Sequence, residues 1–556
     1  MADFYSISPV AAPIKGGAEE VGNKAWNLMR LAQAGMPVPP AFVLPTAWCH
    51  RAKSTLSPQL DKVLADGIAQ LESATRLGFG AAYRPLLVSV RSGAAVSMPG
   101  MMETLLDVGL NAVTVDALIR LTGNPRLAWD SYRRLVQGYA EIVAHLPTAP
   151  FDQLVAAELQ RAETDNEDEL DHRQLRALTQ AMLGCYSALT GSSFPVDPYE
   201  QLRTATVAIF SSWDAPKAVS YRRLNNLSDA AGTAVTVQTM VYGNAGGESG
   251  AGVAFTRNPA TGTREMYFDF QFNAQGEDVV SGRQHLRDNE RLQRVLPAVW
   301  LRLNDICRKL EVLFGDVQDF EFTIQAGELF LLQTRRAKRT DWAALTIAVD
   351  MVEEGLLTPV DAIARLKGIV LASIVRTSFA LPIPQNLAVA QVAGMGVASG
   401  AIALDSEAAK RLAAPGRPVI FVRRQTVTTD IEGMALADGI LTGSGGRTSH
   451  AAVVARQLGK VCLVACPTLE IDLEHRQCHI GGQLLREGDL LSLDGNTGAV
   501  YPGRIVALSE HPAAALATIA RWNKATSGEF DVRAHTANVT VPVLPQGPNA
   551  LTPEFP

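Results

Sequence analysis

The 556-residue sequence predicts a multidomain protein of mixed α+β and α/β class. A chain of this length exceeds what one hydrophobic core supports, so about three to four domains are expected. Through residue 340, helix-period and strand-period segments mix without a simple repeat. From residue 392 to about 503, short β-like runs separated by glycines mark a second kind of unit.

The composition narrows the function classes. With 47% apolar and 19% charged residues, the chain reads as a globular, enzyme-sized protein rather than a disordered or fibrous one. A formal charge of −6 without any lysine or arginine block gives no footprint for nucleic acid or an anionic membrane. The opening MADFYSISPV lacks the basic-then-apolar pattern of a secretory leader. No apolar run is long enough to span a bilayer. Cys462, Cys466, Cys478 and His479 lie near one another, but their spacing matches no zinc pattern. The scattered cysteines read as reduced thiols of a cytoplasmic protein.

Taken in chain order, residues 23–34 (NKAWNLMRLAQA) place apolar side chains at helical spacing and stop at Gly35. Residues 86–90 (LLVSV) predict a short buried strand that delivers Arg91 and then a loop, SGAAVSMPGMME. Residues 116–190 are largely helical. AVTVQTM (234–240) and GVAFTR (252–257) read as strands around the glycine-rich GNAGGESGAG. Residues 317–335 (VQDFEFTIQAGELFLLQTR) alternate on both sides of Gln325-Ala326-Gly327, which predicts a hairpin with a three-residue loop. That loop sets Asp319 against Gln333 and puts Asp319, Glu321, Gln333 and Arg335 on one face. Phe320, Phe322 and Ile324 take the core face. A helical segment from Asp341 and a proline-bearing stretch near 380–385 form a connector. One helix and a proline-rich tail follow Arg504.

Two of these segments can carry chemistry. In GGRTSHAAVVARQLG, Thr448 or Ser449 suits an N-cap, residues 451–457 suit a helix, and Gly459 suits its stop. His450 then sits at a helix N-terminus, where the dipole favours the neutral, nucleophilic imidazole and a bound phosphoryl group. Gly445 and Gly446 would let backbone amides approach the same anion. An ordinary loop-to-helix junction with a hydrogen-bonded histidine fits this pattern equally well. Asp319 and Glu321, at alternate strand positions, can hold a hard cation such as Mg²⁺ bridging nucleotide phosphates. Gln333 could read a polar ligand edge and Arg335 could counter phosphate charge, although a solvated strand face would show the same residues. Lys24 and Arg91, as single cations, read as surface residues on pattern alone.

Together the segments closely resemble the family of pyruvate, phosphate dikinase and phosphoenolpyruvate synthase, from about residue 16 to about 503. VGNKAWNLMRLAQAGMPVPPAFVLPT is similar to the family's opening segment and LLVSVRSGAAVSMPGMMETLLDVGLN to its phosphate-loop region. AVTVQTMVYGNAGGESGAGVAFTRNPATG, FNAQGEDVVSG and VQDFEFTIQAGELFLLQTRRAKRT follow in the family's order. TTDIEGMALADGILTGSGGRTSHAAVVARQLGK resembles its phosphohistidine segment.

The resemblance implies a two-lobed ATP-grasp-type ATP-binding domain over residues 1–340 and a helical connector over 341–390. A swivelling β/β/α phosphohistidine domain over 391–505 and a helix with a Pro-rich tail over 506–556 complete the expected division. By position, Lys24 and Arg91 would bind ATP phosphates, and Asp319 and Glu321 would hold Mg²⁺. Gln333 and Arg335 would complete the nucleotide site, and the backbone at Met240 and Val241 would meet adenine. His450, with Arg447, Thr448 and Ser449 beside it, would attack the β-phosphorus of ATP, release AMP and become phosphohistidine. Inorganic phosphate takes the γ-phosphoryl group in the dikinase. The swivelling domain would then need flexible connectors near 341–390 and after 504.

Three departures stand out. The segment around Lys24 reads GNKA where the family usually has GGKG. The family commonly has arginine at position 444 and methionine at 447, so the positive charge has moved three residues closer to His450. The family's C-terminal barrel, which binds pyruvate or phosphoenolpyruvate, has no counterpart in the residues after 520. The expected activity is therefore phosphoryl transfer from ATP to His450 and on to an acceptor, first of all pyruvate, held by a separate barrel chain; an oligomer is allowed. One alternative is a small-molecule, antibiotic-type phosphotransferase with its acceptor between the two domains. The stretch between Thr340 and Gln385 is short for the acceptor domain that branch carries. Another alternative is a non-catalytic ATP-binding regulatory protein.

Overall fold

The structure, a computed structural model, describes residues 3–8, 17–51, 58–96, 98, 103–164, 166–224, 227–276, 279, 288–413, 416–446 and 449–525. These divide into two units. The first takes its described residues from Met1–Thr256, Phe268–Gly276 and Asp288–Ala337, and the second from Arg257–Tyr267, Glu277–Arg287 and Lys338–Pro556.

In the first unit, a five-stranded antiparallel sheet runs in the order Tyr5–Ile7, Ala41–Leu44, Ala234–Thr239, Val88–Gly93, Thr104–Val108. Its middle strand, AVTVQT, is buried at every position, as expected for a strand paired on both sides and covered on both faces. Helices Pro125–Ile142 and His172–Thr190 extend this core with Leu135, Val136, Leu175 and Met182. Their ends are chemically marked. Asn111 and Asp171 close capping boxes with Thr114 and Gln174, and Gly123 and Gly191 end the helices Ala112–Thr122 and His172–Thr190 in left-handed conformation. Asp130 lies buried between Arg133 at 2.8 Å and Arg134 at 2.9 Å. Although burial pushes its carboxyl up, the two guanidiniums win and hold it down at about 2.

The second sheet of this unit has the order Glu328–Arg336, Gln318–Gln325, Gly250–Phe255, Tyr267–Phe272. Phe320, Phe322 and Ile324 fill its core face as the alternation predicts. The hairpin differs from expectation in two ways that cancel. Its loop has two residues, Ala326 and Gly327, both at positive φ (48° and 79°), so Gln325 pairs with Glu328. Such a loop alone would slip the register by one and turn Gln333 and Arg335 into the core. A β-bulge leaves Leu332 unpaired and restores the phase, so Glu321 faces Gln333 and Asp319 faces Arg335.

The second unit centres on an eight-stranded sheet. Its order is Ala388–Val389, Ala499–Pro502, Leu490–Asp494, Val397–Ala403, Val419–Arg423, Gly439–Thr442, Val461–Val464, Gln391–Gly394. The four strands from Val397–Ala403 to Val461–Val464 are parallel, and the flanking ones pair antiparallel. Alternate residues serve two cores. Val419, Phe421, Ile440 and Cys462 pack with Ala408, Met434, Ala451 and Ala455 of the helices Ser406–Ala413, Ile431–Leu436 and His450–Gln457. Ile420, Val422, Leu441 and Leu463 pack with Cys478, Ile480 and Leu485 of the small three-stranded sheet. The result is a β/β/α arrangement of three layers.

The segments before and after this sheet are more structured than expected of flexible connectors. Strand Arg376–Phe379 pairs antiparallel with Ala507–Glu510. Helices Asp341–Glu353, Pro359–Arg365 and Ala513–Ala525 share one apolar cluster built on Leu345, Ala362 and Ile519. The proline-rich tail lies outside the described residues. Among the described residues no helix is long and apolar enough to cross a membrane.

Candidate nucleotide and phosphohistidine sites

Lys24 owes its place to a break in a helix. The helix Gly17–Gln33 kinks at Gly22 (φ 76°, ψ 152°), where an added Cβ would fall 2.0 Å from the Gly93 carbonyl oxygen. Only glycine tolerates both the conformation and that approach. The Asn23 N–H donates to the Ala94 carbonyl at 2.9 Å, so Lys24 opens the next helical turn beside the strand that carries Arg91. In this chain Ala25 is fully buried, and it stands where the family usually has the glycine that follows the motif's lysine.

Arg91 lies within the strand Val88–Gly93, paired with Thr236 and Thr104. Its Nη1 donates to Gln238 Oε1 and to the Leu332 carbonyl, both at 3.3 Å, and its Nη2 meets Glu321 Oε2 at 3.5 Å. On the hairpin, Arg335 Nε donates to Asp319 Oδ2 at 2.8 Å. Burial raises the Asp319 carboxyl; Arg335 opposes this and Glu321 adds to it. Lys24 has no hydrogen-bond or ion-pair partner among the described residues. Desolvation first, then repulsion from Arg91 and Arg335, lower its ammonium to about 7, with Glu321 opposing. Three cations, two carboxylates and the Gln333 amide thus gather at one place in the first unit.

Met240 and Val241 follow directly on the central strand. The Met240 N–H donates to the Leu87 carbonyl at 3.0 Å and the Tyr242 N–H to Gln325 Oε1 at 2.7 Å. Between these anchors, no hydrogen bond from the described residues engages the Val241 N–H. The hairpin tip also pins the glycine-rich loop. Gly327 and Ala326 donate their N–H groups to the Glu248 carbonyl and to Ser249 Oγ, each at 2.9 Å. Sequence reasoning missed Gln238, Asn27 and the Leu332 carbonyl. Asn27 ties the lysine helix to the hairpin through the Thr334 carbonyl at 2.9 Å. The available signal for Gln238 was a long polar side chain inside an otherwise buried strand.

In the second unit His450 is the first residue of the helix His450–Gln457. Ser449 caps it: its Oγ accepts the Ala452 N–H at 3.4 Å, while its own N–H donates to the Gly446 carbonyl at 3.0 Å. Gly445, at φ 96°, lies so close that an added Cβ would come within 2.9 Å of the Ser449 Cβ. Ser444 turns its N–H and its hydroxyl onto the Arg424 carbonyl, both at 2.9 Å. The His450 side chain, Arg447 and Thr448 lie outside what the structure describes. Cys462, Cys466 and Cys478 are buried free thiols.

The family profile described as "Pyruvate phosphate dikinase, AMP/ATP-binding domain" matches residues 52–294 and 283–356, more than half of the chain. This chain belongs to the pyruvate, phosphate dikinase family. A second profile, "PEP-utilising enzyme, mobile domain", matches residues 415–498 and so includes Ser449 and His450. Among curated relatives, pyruvate, phosphate dikinase of Clostridium symbiosum is 42% identical over 492 residues, covering 87% of this chain and 56% of that protein. The Rhizobium meliloti (strain 1021) dikinase is 39% identical over 535 residues, covering 93% and 60%. Pyruvate, phosphate dikinase 2 of Zea mays is 40% identical over 496 residues, covering 88% and 56%. The chain therefore spans between half and two thirds of the length of these dikinases. Within the family's two profiles fall all the candidate residues except Lys24, which precedes residue 52.

Proposed function

We propose that the chain is an ATP-dependent phosphotransferase in which residues 1–340 bind Mg-ATP and residues 391–505 carry a phosphorylated histidine, His450. Residues 341–390 act as the connector, and 506–556 as a terminal helix and tail. The observation that carries the reading is the convergence of Lys24, Arg91, Asp319, Glu321, Gln333 and Arg335 from two sheets and a helix onto one site. Such a set suits a polyphosphate with its cation: guanidiniums and an ammonium for phosphate oxygens, two carboxylates for a hard metal. The fit of Mg²⁺ rests on Asp319 and Glu321, whose mutual repulsion a cation relieves. Bound there, Mg²⁺ would neutralise charge on the β- and γ-phosphates.

The ion pairs within the site support an exchange on binding. Arg91 and Arg335 neutralise Glu321 and Asp319 at 3.5 and 2.8 Å until phosphate oxygens draw the guanidiniums away. The carboxylates are then free for the metal that arrives with the nucleotide. Lys24, unpaired and desolvated, is poised for an anion. The open Val241 N–H beside the Met240 carbonyl suits the edge of an adenine. A neutral imidazole at position 450 then attacks the β-phosphorus, the α,β-bridging P–O bond breaks, and AMP leaves. Inorganic phosphate, in the dikinase reading, takes the γ-phosphoryl group and leaves phosphohistidine. Positive charge at the helix N-terminus and the backbone amides about Gly445 favour that product. Pyruvate bound by a separate polypeptide is the acceptor we infer, and the free cysteines support a reducing compartment such as the cytoplasm.

Chromatography of the adenine nucleotides tests the reading. Incubation with Mg-ATP and phosphate should yield AMP in an amount set by the enzyme present, rising to turnover when an acceptor is supplied. Formation of ADP in place of AMP would overturn it.

A further inference from the structure

Arg91 reaches the site from the middle of a sheet, and a guanidinium so placed is useful only if its direction is fixed. Three acceptors from three elements hold it: Gln238 Oε1 and the Leu332 carbonyl on Nη1, and Glu321 on Nη2. The Glu321 contact, at 3.5 Å, is the longest, and on the preceding reading it is given up when metal and nucleotide enter. The two neutral acceptors remain.

Leu332 presents its carbonyl because it is the bulged residue, unpaired within the hairpin. Gln238 is 1% exposed in the central strand, flanked by Ala41 on one neighbour and Ser89 on the other. Its amide nitrogen donates to the Pro39 carbonyl at 3.4 Å, which leaves the amide oxygen as the end offered to Arg91. A buried amide with its two ends assigned to different partners is an orienting device rather than filler.

We propose that Gln238 is the positioning residue for Arg91, holding the guanidinium in its phosphate-binding direction after Glu321 has turned to the metal. The proposal rests on the reading that Arg91 contacts ATP phosphates. Without the Gln238 oxygen, one N–H of a desolvated cation loses its acceptor, and the guanidinium falls back on the carboxylates that the metal needs. Gln238 is outside the chemistry itself; it acts through Arg91.

Calorimetric titration of Mg-ATP into the His450→Ala chain, which binds without turnover, measures this directly. Gln238→Met should weaken binding about tenfold, the scale of one lost hydrogen bond to a charged group. Gln238→Glu, isosteric and still an acceptor, should bind within about threefold of the parent. Gln238→Asn keeps an amide in the strand but withdraws it from Arg91, and should lose as much as the Met variant; it also serves if the Met variant does not fold. In an Arg91→Met background the Gln238→Met loss should vanish, since the two residues act as one unit. Wild-type affinity in the Met and Asn variants, or the same loss with and without Arg91, would overturn the proposal. If Arg91→Met alone leaves ATP binding unchanged, the phosphate role of Arg91 fails first and the proposal fails with it.

Discussion

At the scale of single residues, Lys24 carries the clearest electrostatic signature. A lysine lowered to about 7 is charged in the unfolded chain and mostly neutral in the fold at pH 8. Between about pH 7 and the usual lysine value near 10.5, the unfolded chain therefore binds more protons, and stability rises with pH. Below about pH 7 the charge must be kept in a desolvated site beside Arg91 and Arg335, and the full destabilisation is present. Lys24→Met should accordingly raise the melting temperature most at pH 6, by roughly 2–4 °C, and leave it unchanged near pH 10.5. A melting series across that range checks both the sign and the window. The same substitution should weaken Mg-ATP binding, so that stability and function move in opposite directions at this position.

Among the elements, the hairpin 318–336 decides how the site is built. Alternation placed Asp319, Glu321, Gln333 and Arg335 on one face correctly, because the assumed loop and the observed loop with its bulge preserve the same phase. The pairing itself was not legible. Nothing local distinguishes Leu332 as a bulged residue, since a bulge is fixed by what its carbonyl meets, and that partner is Arg91 on another sheet. Ala326 is a related case: it occupies a left-handed turn position at φ 48° where asparagine or glycine is favoured. Ala326→Asn should stabilise the first unit by about 1 kcal/mol and leave ATP affinity unchanged, as denaturant unfolding and calorimetry can check. The helix at His450 was legible for the converse reason. Its cap, its glycines and its apolar face are all local signals, and the Ser449 hydroxyl makes a capping bond; Thr448 lies outside the described residues.

Across the whole molecule, the sequence spoke most clearly where chemistry is encoded in order and spacing. The mixed class followed from periodicity and the β/β/α layers from the family resemblance, and the two family profiles match residues 52–356 and 415–498. Tertiary pairings escaped. The strand Arg376–Phe379 pairs with Ala507–Glu510 across the length of the mobile-domain sheet, a non-local contact no short motif announces. Helix Ala513–Ala525 packs on Asp341–Glu353 through Ile519 and Leu345 in the same way. Chain entry and chain exit of the eight-stranded sheet are thus tied to each other, which gives that sheet a built base in place of two loose tethers. The central claim concerns what the sheet carries. Incubation of the chain with Mg²⁺ and ATP labelled at the β-phosphorus should leave acid-labile, base-stable label on the protein, and His450→Ala should leave none. Absence of label on the unaltered chain, or equal label on His450→Ala, would contradict it.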